Sequence, residues 1–364
     1  MFKTLLSDRK LLLLLLIAIL VKLFSLNEEW VERFYSNGLY GPVSTTLRAV
    51  LGWIPFSVGD IGYVAGGIWL AVKVWKLLQL LKRRKAKEYQ PWLLLQKYLK
   101  LVLFLYIVFS LVWGLNYNRQ GISKQLGITI QPYGVKDLFV LTTVLQQRLN
   151  TYAVKTDSVE RLRYNNNRLL FDSSIAAYKR IKEEYPFLHY ANSSQKPSIF
   201  TPVGKFFGFT GYYNPFSGEA QLKTSIPVFL KPFVSTHEIA HQLGYAKENE
   251  ASFVAYLACK RSGNTAFLYS AYFEVYRDAL SDCIKTGDTV FVNGLRKEAS
   301  LRVKHDIYDL QLYLIQNSNF IEPLMSGAYD KYLKMNNQPN GKATYNEVIA
   351  YLIAYMKKFG KEAI

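Results

Sequence analysis

Residues 237–244 read His-Glu-Ile-Ala-His-Gln-Leu-Gly, and residues 248–253 read Glu-Asn-Glu-Ala-Ser-Phe. Side chains four residues apart share one face of a helix, so His237 and His241 can present two imidazole nitrogens to one metal ion, with Glu238 beside them. A catalytic zinc ion takes three protein ligands and keeps a fourth position for water, which it acidifies. The pattern predicts one Zn²⁺ per chain, with His237 and His241 as ligands and Glu238 as the general base.

The third zinc ligand has to come from the residues that follow. A histidine ten residues after His237 would be typical of metzincins, but that position is Lys247. Gly244 is expected to end the first helix, and a second helix is expected to begin near Glu248. Glu250 on that second helix is the preferred third ligand, and Glu248 is the alternative.

The amino-terminal part of the chain is strongly apolar. Hydrophobic residues make up 50% of the 364 residues and aromatic residues 15%, a high share for a purely soluble protein. The run at about 11–26 follows a basic amino terminus and precedes no small-residue cleavage site, so it is predicted to be a membrane anchor. Two further spans are predicted at about 58–78 and 99–115.

The distribution of basic residues predicts the orientation. The amino terminus and the dense cluster 82–87 are basic, whereas the stretch between the first two spans is not. Positive loops stay in the cytoplasm. Three crossings therefore predict a multi-pass inner-membrane protein with a cytoplasmic amino terminus, a membrane domain at 1–117 and an extracytoplasmic, periplasmic domain at 118–364.

Net charge is explained by this topology. Residues 1–117 carry 15 lysines and arginines against 6 acidic residues. Their net charge of +9 is half of the chain's net charge of +18. Contact with the lipid bilayer accounts for such charge. No nucleic-acid-binding pattern accompanies it, so nucleic acid is excluded as a partner.

The extracytoplasmic part is predicted to be an α+β, mainly helical domain. Gly and Pro residues punctuate short β-prone runs at 198–222, which predicts a small sheet whose edge lines the cleft. Tyr212 or Tyr213 is a candidate donor to the oxyanion, with strand aromatics packed in a core as the alternative. His305 is a candidate stabiliser of the transition state, with an ordinary surface histidine as the alternative.

Four features occur together in the chain: three amino-terminal spans, YYNPFSGEA at 212–220, HEIAHQLGYAKENEASF at 237–253 and YDKYLKMNNQPNGKATYNEVIAYLIAY at 329–355. In this combination the chain resembles an uncharacterised bacterial membrane family known as domain of unknown function 3810. The resemblance implies a membrane-anchored zincin of no established activity, and it suggests that the turn at 336–341 borders the cleft.

The Glu-Ala-Ser run at 250–252 is also similar to the Glu-Ala-Asp/Asn stretch of gluzincin-like zincins. That resemblance implies that Glu250 binds zinc and that Ser252 braces the site.

The predicted function is zinc-dependent hydrolysis of a peptide or protein substrate by a membrane-anchored metallopeptidase. A catalytically silent zinc-binding envelope scaffold or receptor is one alternative, and a structural membrane protein with a coincidental motif is another. The presence of Glu238 favours an enzyme, since a scaffold needs no general base. Cys259 and Cys283, the only cysteines, are predicted either to pair or to remain buried thiols.

Overall fold

The computed structural model describes residues 8–82, 91–338 and 347–364, so most of the predicted basic cluster and part of the predicted turn at 336–341 lie outside the described residues. The first helices are α1 (Arg9–Ser25), α2 (Glu28–Leu51), α3 (Val58–Lys82) and α4 (Pro91–Val112). They are followed by α5 (Gly121–Leu126), α6 (Val135–Lys155), α7 (Ser158–Arg163) and α8 (Asn167–Ile181).

The strands β1 (Gln195–Pro197), β2 (Gly211–Asn214) and β3 (Glu219–Leu222) come next. The remaining helices are α9 (Lys231–Gln242), α10 (Glu248–Arg261), α11 (Thr265–Lys285), α12 (Thr289–Glu298), α13 (Leu301–Asn317), α14 (Glu322–Met335) and α15 (Val348–Phe359). The fold is mainly helical with one small sheet, as predicted.

Helices α1 and α4 run parallel to each other. Asp8 caps the amino-terminal end of α1 by accepting two backbone hydrogen bonds, and its Oδ2 lies 2.6 Å from Nζ of Lys100 on α4. At the other end, Val21 of α1 shares a buried apolar cluster with Trp113, which directly follows α4. The chain between these two parallel helices contains α2 and α3.

One helix among the described residues, Trp92–Val112, is long and apolar enough to cross a membrane. There are two such spans if α1 and α2, which meet at an angle of 96°, are taken as one broken span. The predicted three spans are therefore not confirmed. Helix α1 has only 17 residues, and α3 carries Lys73 and Lys76 within the predicted span at 58–78.

Helix α2 occupies the stretch between the first two predicted spans. Its turns at Val31–Leu39 are π-helical, a wider winding that keeps residues four or five apart on one face. That face is buried and includes Tyr35, Tyr40, Ser44 and Arg48. Helix α2 is therefore an integral part of the packed structure.

The sheet has the strand order β1-β3-β2, with β1 parallel and β2 antiparallel to β3. Strand β2 is consequently an edge strand. The carboxylate of Glu219 in β3 accepts hydrogen bonds from the backbone N–H groups of Val58 and Gly59, at 3.1 and 2.7 Å. A carboxylate is favoured at a helix amino terminus, so this contact ties the start of α3 to the sheet.

Helices α9 and α10 lie at the centre of the main core, between the sheet and the surrounding helices α8, α11 and α15. Every residue of α9 is buried, including its polar ones. Cys259 on α10 and Cys283 on α11 are both buried free thiols, and each contacts a different threonine, Thr236 and Thr142. The predicted alternative of buried thiols describes both cysteines.

Hydrogen bonds cross the predicted boundary between the membrane and extracytoplasmic parts. Tyr40 and Arg48 on α2 both donate to the backbone carbonyl of Gln242, at 3.0 and 2.9 Å. Trp113 Nε1 donates to the carbonyl of His241 at 3.3 Å. The last carbonyls of a helix have no partner within the helix, so these donors complete the end of α9.

A buried ion pair also joins the two parts. Arg119 contacts Glu32 on α2 through two hydrogen bonds, of 2.8 and 3.0 Å, and both side chains are shielded from solvent. Arg148 and Glu362 form a pair with the same 2.8 Å spacing, but at the surface. The two pairs have the same N–O distance, so replacing each of them compares the contribution of a buried ion pair to stability with that of an exposed one.

Replacing Arg119 with Gln should lower the free energy of unfolding by about 3–5 kcal/mol, because it leaves the buried Glu32 carboxylate unpaired. Replacing Arg148 with Gln should change it by less than about 1 kcal/mol, because an exposed pair contributes little. Thermal unfolding of the detergent-solubilised chain measures both. Equal melting temperatures for the two variants would contradict the importance of this buried contact.

Candidate metal centre

Helix α9 carries the histidine motif between a proline and a glycine. Pro232 lies in the first turn, where its fixed backbone angle suits a helix start. Gly244 follows the helix with φ of +88° and donates its N–H to the carbonyl of His241. A Cβ on Gly244 would lie 2.9 Å from the ring of Tyr40, so both conformation and space require glycine. The predicted end of the helix is confirmed.

Three side chains lie close together at one face of this helix: His237 and His241 from α9, and Glu248 from the start of α10. Oε2 of Glu248 lies 3.1 Å from Nε2 of His237 and 3.3 Å from Nε2 of His241. All three side chains are buried, and their candidate ligand atoms lie within 4.8 Å of one another. A tetrahedral zinc ion with bonds of about 2.0–2.1 Å separates its ligand atoms by about 3.3 Å. The two spacings from Oε2 of Glu248 fit that geometry.

The second nitrogen of each histidine has a partner that orients its ring. Nδ1 of His241 lies 2.8 Å from the backbone carbonyl of Tyr245, which can only accept, so Nδ1 carries a proton and Nε2 is an acceptor whenever the ring is neutral. Nδ1 of His237 lies 3.3 Å from the hydroxyl of Ser252. Both rings therefore direct Nε2 towards the Glu248 carboxylate, and three acceptors around one point form a donor set for a cation.

The charges of these groups are coupled. Burial disfavours the carboxylate form of Glu248, but the two histidines outweigh burial and hold the pKa of Glu248 well below its usual range. Burial likewise opposes charge on His241, but the Glu248 carboxylate outweighs it and raises the pKa of His241 to about 9. A proton and a metal ion compete for this position, because a metal ion binds the neutral imidazole.

Glu238 lies beside the cluster in a different environment. Burial raises the pKa of Glu238 to about 8. Its Oε2 is buried without a hydrogen-bond partner among the described residues, and a Cβ added to Gly211 of β2 would lie 2.6 Å from its Oε1. The absence of a side chain at Gly211 thus makes room for this carboxyl group next to the edge strand.

Glu250, the preferred third ligand in the sequence-based prediction, does not lie in the cluster. It faces α5, where its Oε1 would lie 2.2 Å from a Cβ added to Gly121. It also accepts a 3.4 Å hydrogen bond from Tyr351. Glu248 and Glu250 are two residues apart, roughly 200° around a helix, so only one of them can face α9. The structure places the alternative ligand, Glu248, at the histidines.

The other predicted site residues differ in their positions. Ser252 contacts His237, as its bracing role requires. The hydroxyl of Tyr212 donates to Asp60 at 2.6 Å, and the ring of Tyr213 packs against Trp113. His305 is exposed and forms an ion pair along its own helix. The structure does not bring these last three predicted residues to the metal-ligand cluster.

Sequence reasoning missed two residues that orient the cluster. The hydroxyl of Tyr329 on α14 donates to Oε1 of Glu248 at 2.7 Å, which leaves Oε2 for the histidines. Gln338 accepts a hydrogen bond from the backbone N–H of Glu248 at 3.1 Å and so caps the start of α10. The predicted turn at 336–341 does border the site at Gln338. No local pattern distinguishes Tyr329 from the neighbouring tyrosines.

Replacing Tyr329 with Phe should weaken zinc binding by about 10- to 100-fold, the usual cost of removing a hydrogen bond that orients a ligand. Tyr332, one turn further on, provides the matched control. Its hydroxyl contacts Tyr117, so Tyr332→Phe should bind zinc like the wild type. Competition with a chromophoric chelator gives both affinities. Identical affinities for both variants would remove Tyr329 from the site.

Comparison with known sequences and structures gives one match. The model of a protein family of unknown function, DUF3810, matches residues 35–353. No curated protein and no solved structure matches the chain. The matched range begins within α2 and ends within α15, so it includes the parts that meet at His241 as well as the sheet. The chain therefore belongs to the DUF3810 family of proteins of unknown function.

Proposed function

We propose that this protein is a membrane-anchored zinc metallopeptidase, with His237, His241 and Glu248 as ligands and Glu238 as general base. One observation carries the proposal. Oε2 of Glu248 lies within 3.3 Å of both histidine Nε2 atoms, and Glu238, next to His237, has a buried carboxyl oxygen without a hydrogen-bond partner among the described residues. A structural zinc site would need a fourth protein ligand and no neighbouring base.

The chemistry follows from the positions of the side chains. A bound zinc ion supplies a Lewis acid that polarises the substrate carbonyl and acidifies water. Glu238 takes the proton from the attacking water and returns it to the leaving amine. Burial raises the pKa of Glu238, so this carboxylate takes up a proton more readily than an exposed one does.

Strand β2 supports a peptide as the substrate. It is an edge strand, and an extended peptide can add to such an edge through backbone hydrogen bonds. Gly211 at its start lies against Glu238. A peptide that adds to β2 would therefore pass the general base.

The proposed topology keeps the amino terminus in the cytoplasm and the metal centre in the periplasm. The parallel arrangement of α1 and α4 supports it, because Asp8 at the start of α1 contacts Lys100 in the middle of α4, and Val21 near the end of α1 shares a cluster with Trp113 after the end of α4. The chain then returns through α3, which completes three crossings. The positive-inside rule assigns the basic end to the cytoplasm.

The full-length chain in detergent is the appropriate sample, since the end of α9 is completed by Tyr40, Arg48 and Trp113. Elemental analysis after dialysis should find about one zinc ion per chain. A peptide library, read by mass spectrometry, should show cleavage that a chelator stops and added zinc restores. Zinc without cleavage would favour the scaffold alternative, and a folded protein without zinc would show that the motif is coincidental.

A further inference from the structure

Helix α2 turns sharply away from the apolar helix that precedes it. The axes of α1 and α2 meet at 96°, so α2 runs across the direction in which α1 points. The segment between α2 and α3 is short, and α3 begins at Val58. A helix perpendicular to a spanning helix, at the end of that span, lies in the plane of the membrane surface.

The outer face of α2 has the composition of the membrane interface. Trp30, Phe34, Leu39 and Val50 are between 50% and 58% exposed. Arg33 lies beside Phe34, with its guanidinium carbon 5.3 Å from the ring centre. Aromatic rings prefer the level of the lipid headgroups, and an arginine there meets phosphate.

The residues after α2 continue this surface. Trp53 is 79% exposed and Phe56 is 50% exposed, immediately before α3. The exposed faces of α1 and α4 are apolar as well, including Leu16, Leu20 and Val102. Exposed apolar residues therefore occur on α2 and also on the candidate membrane helices and the segment that follows α2.

The inner face of α2 holds the metal helix. Tyr40, Ser44 and Arg48 all donate to the carbonyl of Gln242, the last residue of α9. Trp113, the first residue after α4, contacts the ring of His241, with ring centres 6.2 Å apart. The candidate ligand His241 is therefore one side chain away from the end of a membrane helix.

We propose that α2 lies along the bilayer surface, with Trp30, Phe34, Leu39 and Val50 in the interface, and that it holds the metal centre at the level of the lipid headgroups. Resting on the proposed peptidase function, this position assigns a substrate class: peptide segments that leave the membrane within about five residues of the scissile bond. Five extended residues reach roughly 17 Å, so a centre far above the bilayer could not take them.

Spin labels test the position of α2 independently of activity. Cys259 and Cys283 are completely buried, so a nitroxide reagent should label only an introduced cysteine. Phe34→Cys and Val50→Cys report on α2, and Val290→Cys, at an 84% exposed residue of α12, is the control. Zinc content equal to wild type verifies that each labelled variant is folded.

In vesicles of neutral and anionic phospholipid, labels at 34 and 50 should collide more with oxygen than with a water-soluble nickel chelate. The label at 290 should show the reverse preference. Preferential collision with the nickel chelate at both 34 and 50 would overturn the interfacial position of α2.

Anchored peptides test the substrate class. A sequence found to be cleaved in the library is attached to a palmitoyl anchor through spacers of about five or thirty residues, which keeps the surface concentration matched. The short-spacer peptide should be cleaved in vesicles at a rate at least equal to the long-spacer peptide. Cleavage of the long-spacer peptide alone would overturn the assigned class, whereas a failure to cleave any peptide, free or anchored, would count against the peptidase function itself.

Discussion

Replacing Glu238 with Gln should leave the zinc content unchanged and lower kcat/KM for peptide hydrolysis by about 10²- to 10⁴-fold. Gln has the same shape, so it fills the space beside Gly211, but its amide cannot take a proton from water. The ligand atoms on His237, His241 and Glu248 are untouched. Elemental analysis and steady-state kinetics on the same preparation measure both quantities.

Glu250→Gln is the control for this experiment, because it makes the same chemical change in another buried carboxyl group outside the cluster. Its turnover should stay close to that of the wild type. If Glu238→Gln retained full turnover, the general-base role would have to be abandoned. A loss of zinc in that variant would instead show that Glu238 helps to hold the metal.

Replacing Glu248 with Ala should weaken zinc binding by more than about 100-fold. Removing a residue that only hydrogen-bonds to a metal ligand already weakens metal binding by about 10- to 100-fold, and Glu248 is a proposed ligand itself. Oε2 of Glu248 lies within 3.3 Å of both histidine Nε2 atoms. Glu250→Ala should bind zinc nearly as the wild type does. Chelator competition yields the two affinities.

Thermal unfolding of both variants separates lost affinity from lost structure, since Glu248 and Glu250 are equally buried in α10. The reverse order, with Glu250→Ala losing zinc and Glu248→Ala keeping it, would restore the ligand first predicted from the sequence. Equal zinc affinity in both variants would require a ligand from another element.

Local spacing was sufficient to predict that His237 and His241 lie together on one helix, with Glu238 beside them. His237 and His241 are four residues apart, and Gly244 ends their helix, so these features depend only on helix geometry. The small sheet followed from Gly and Pro punctuation for a similar reason. Both predictions needed no knowledge of which distant elements pack together.

The choice between Glu248 and Glu250 also had a signal in the sequence. Ser252, predicted to brace the site, is four residues after Glu248 and therefore shares its face of α10. Glu250 is two residues from Ser252 and points the other way. The residue type alone did not distinguish the two glutamates. The helical spacing between Ser252 and each of them would have favoured Glu248.

Long-range contacts explain what the sequence left open. Tyr329 reaches Glu248 from a helix 81 residues later, and Tyr40 reaches Gln242 from 202 residues earlier. Such pairs depend on tertiary packing, which periodicity does not encode. The contacts of α2 with α9 are of the same kind, since hydropathy identifies apolar helices but not the distant partners of the amphipathic α2.

The donors that complete the carbonyl end of α9 are all made early in synthesis, before the histidines leave the ribosome. In the proposed topology, Tyr40, Arg48 and Trp113, which complete this end of α9, belong to the membrane part of the chain, which is made and inserted first. We therefore expect newly made chains to acquire a competent metal centre only after insertion. Delivery to the membrane would then act as the maturation step, and the proposed peptidase would stay inactive towards cytosolic proteins until it is inserted.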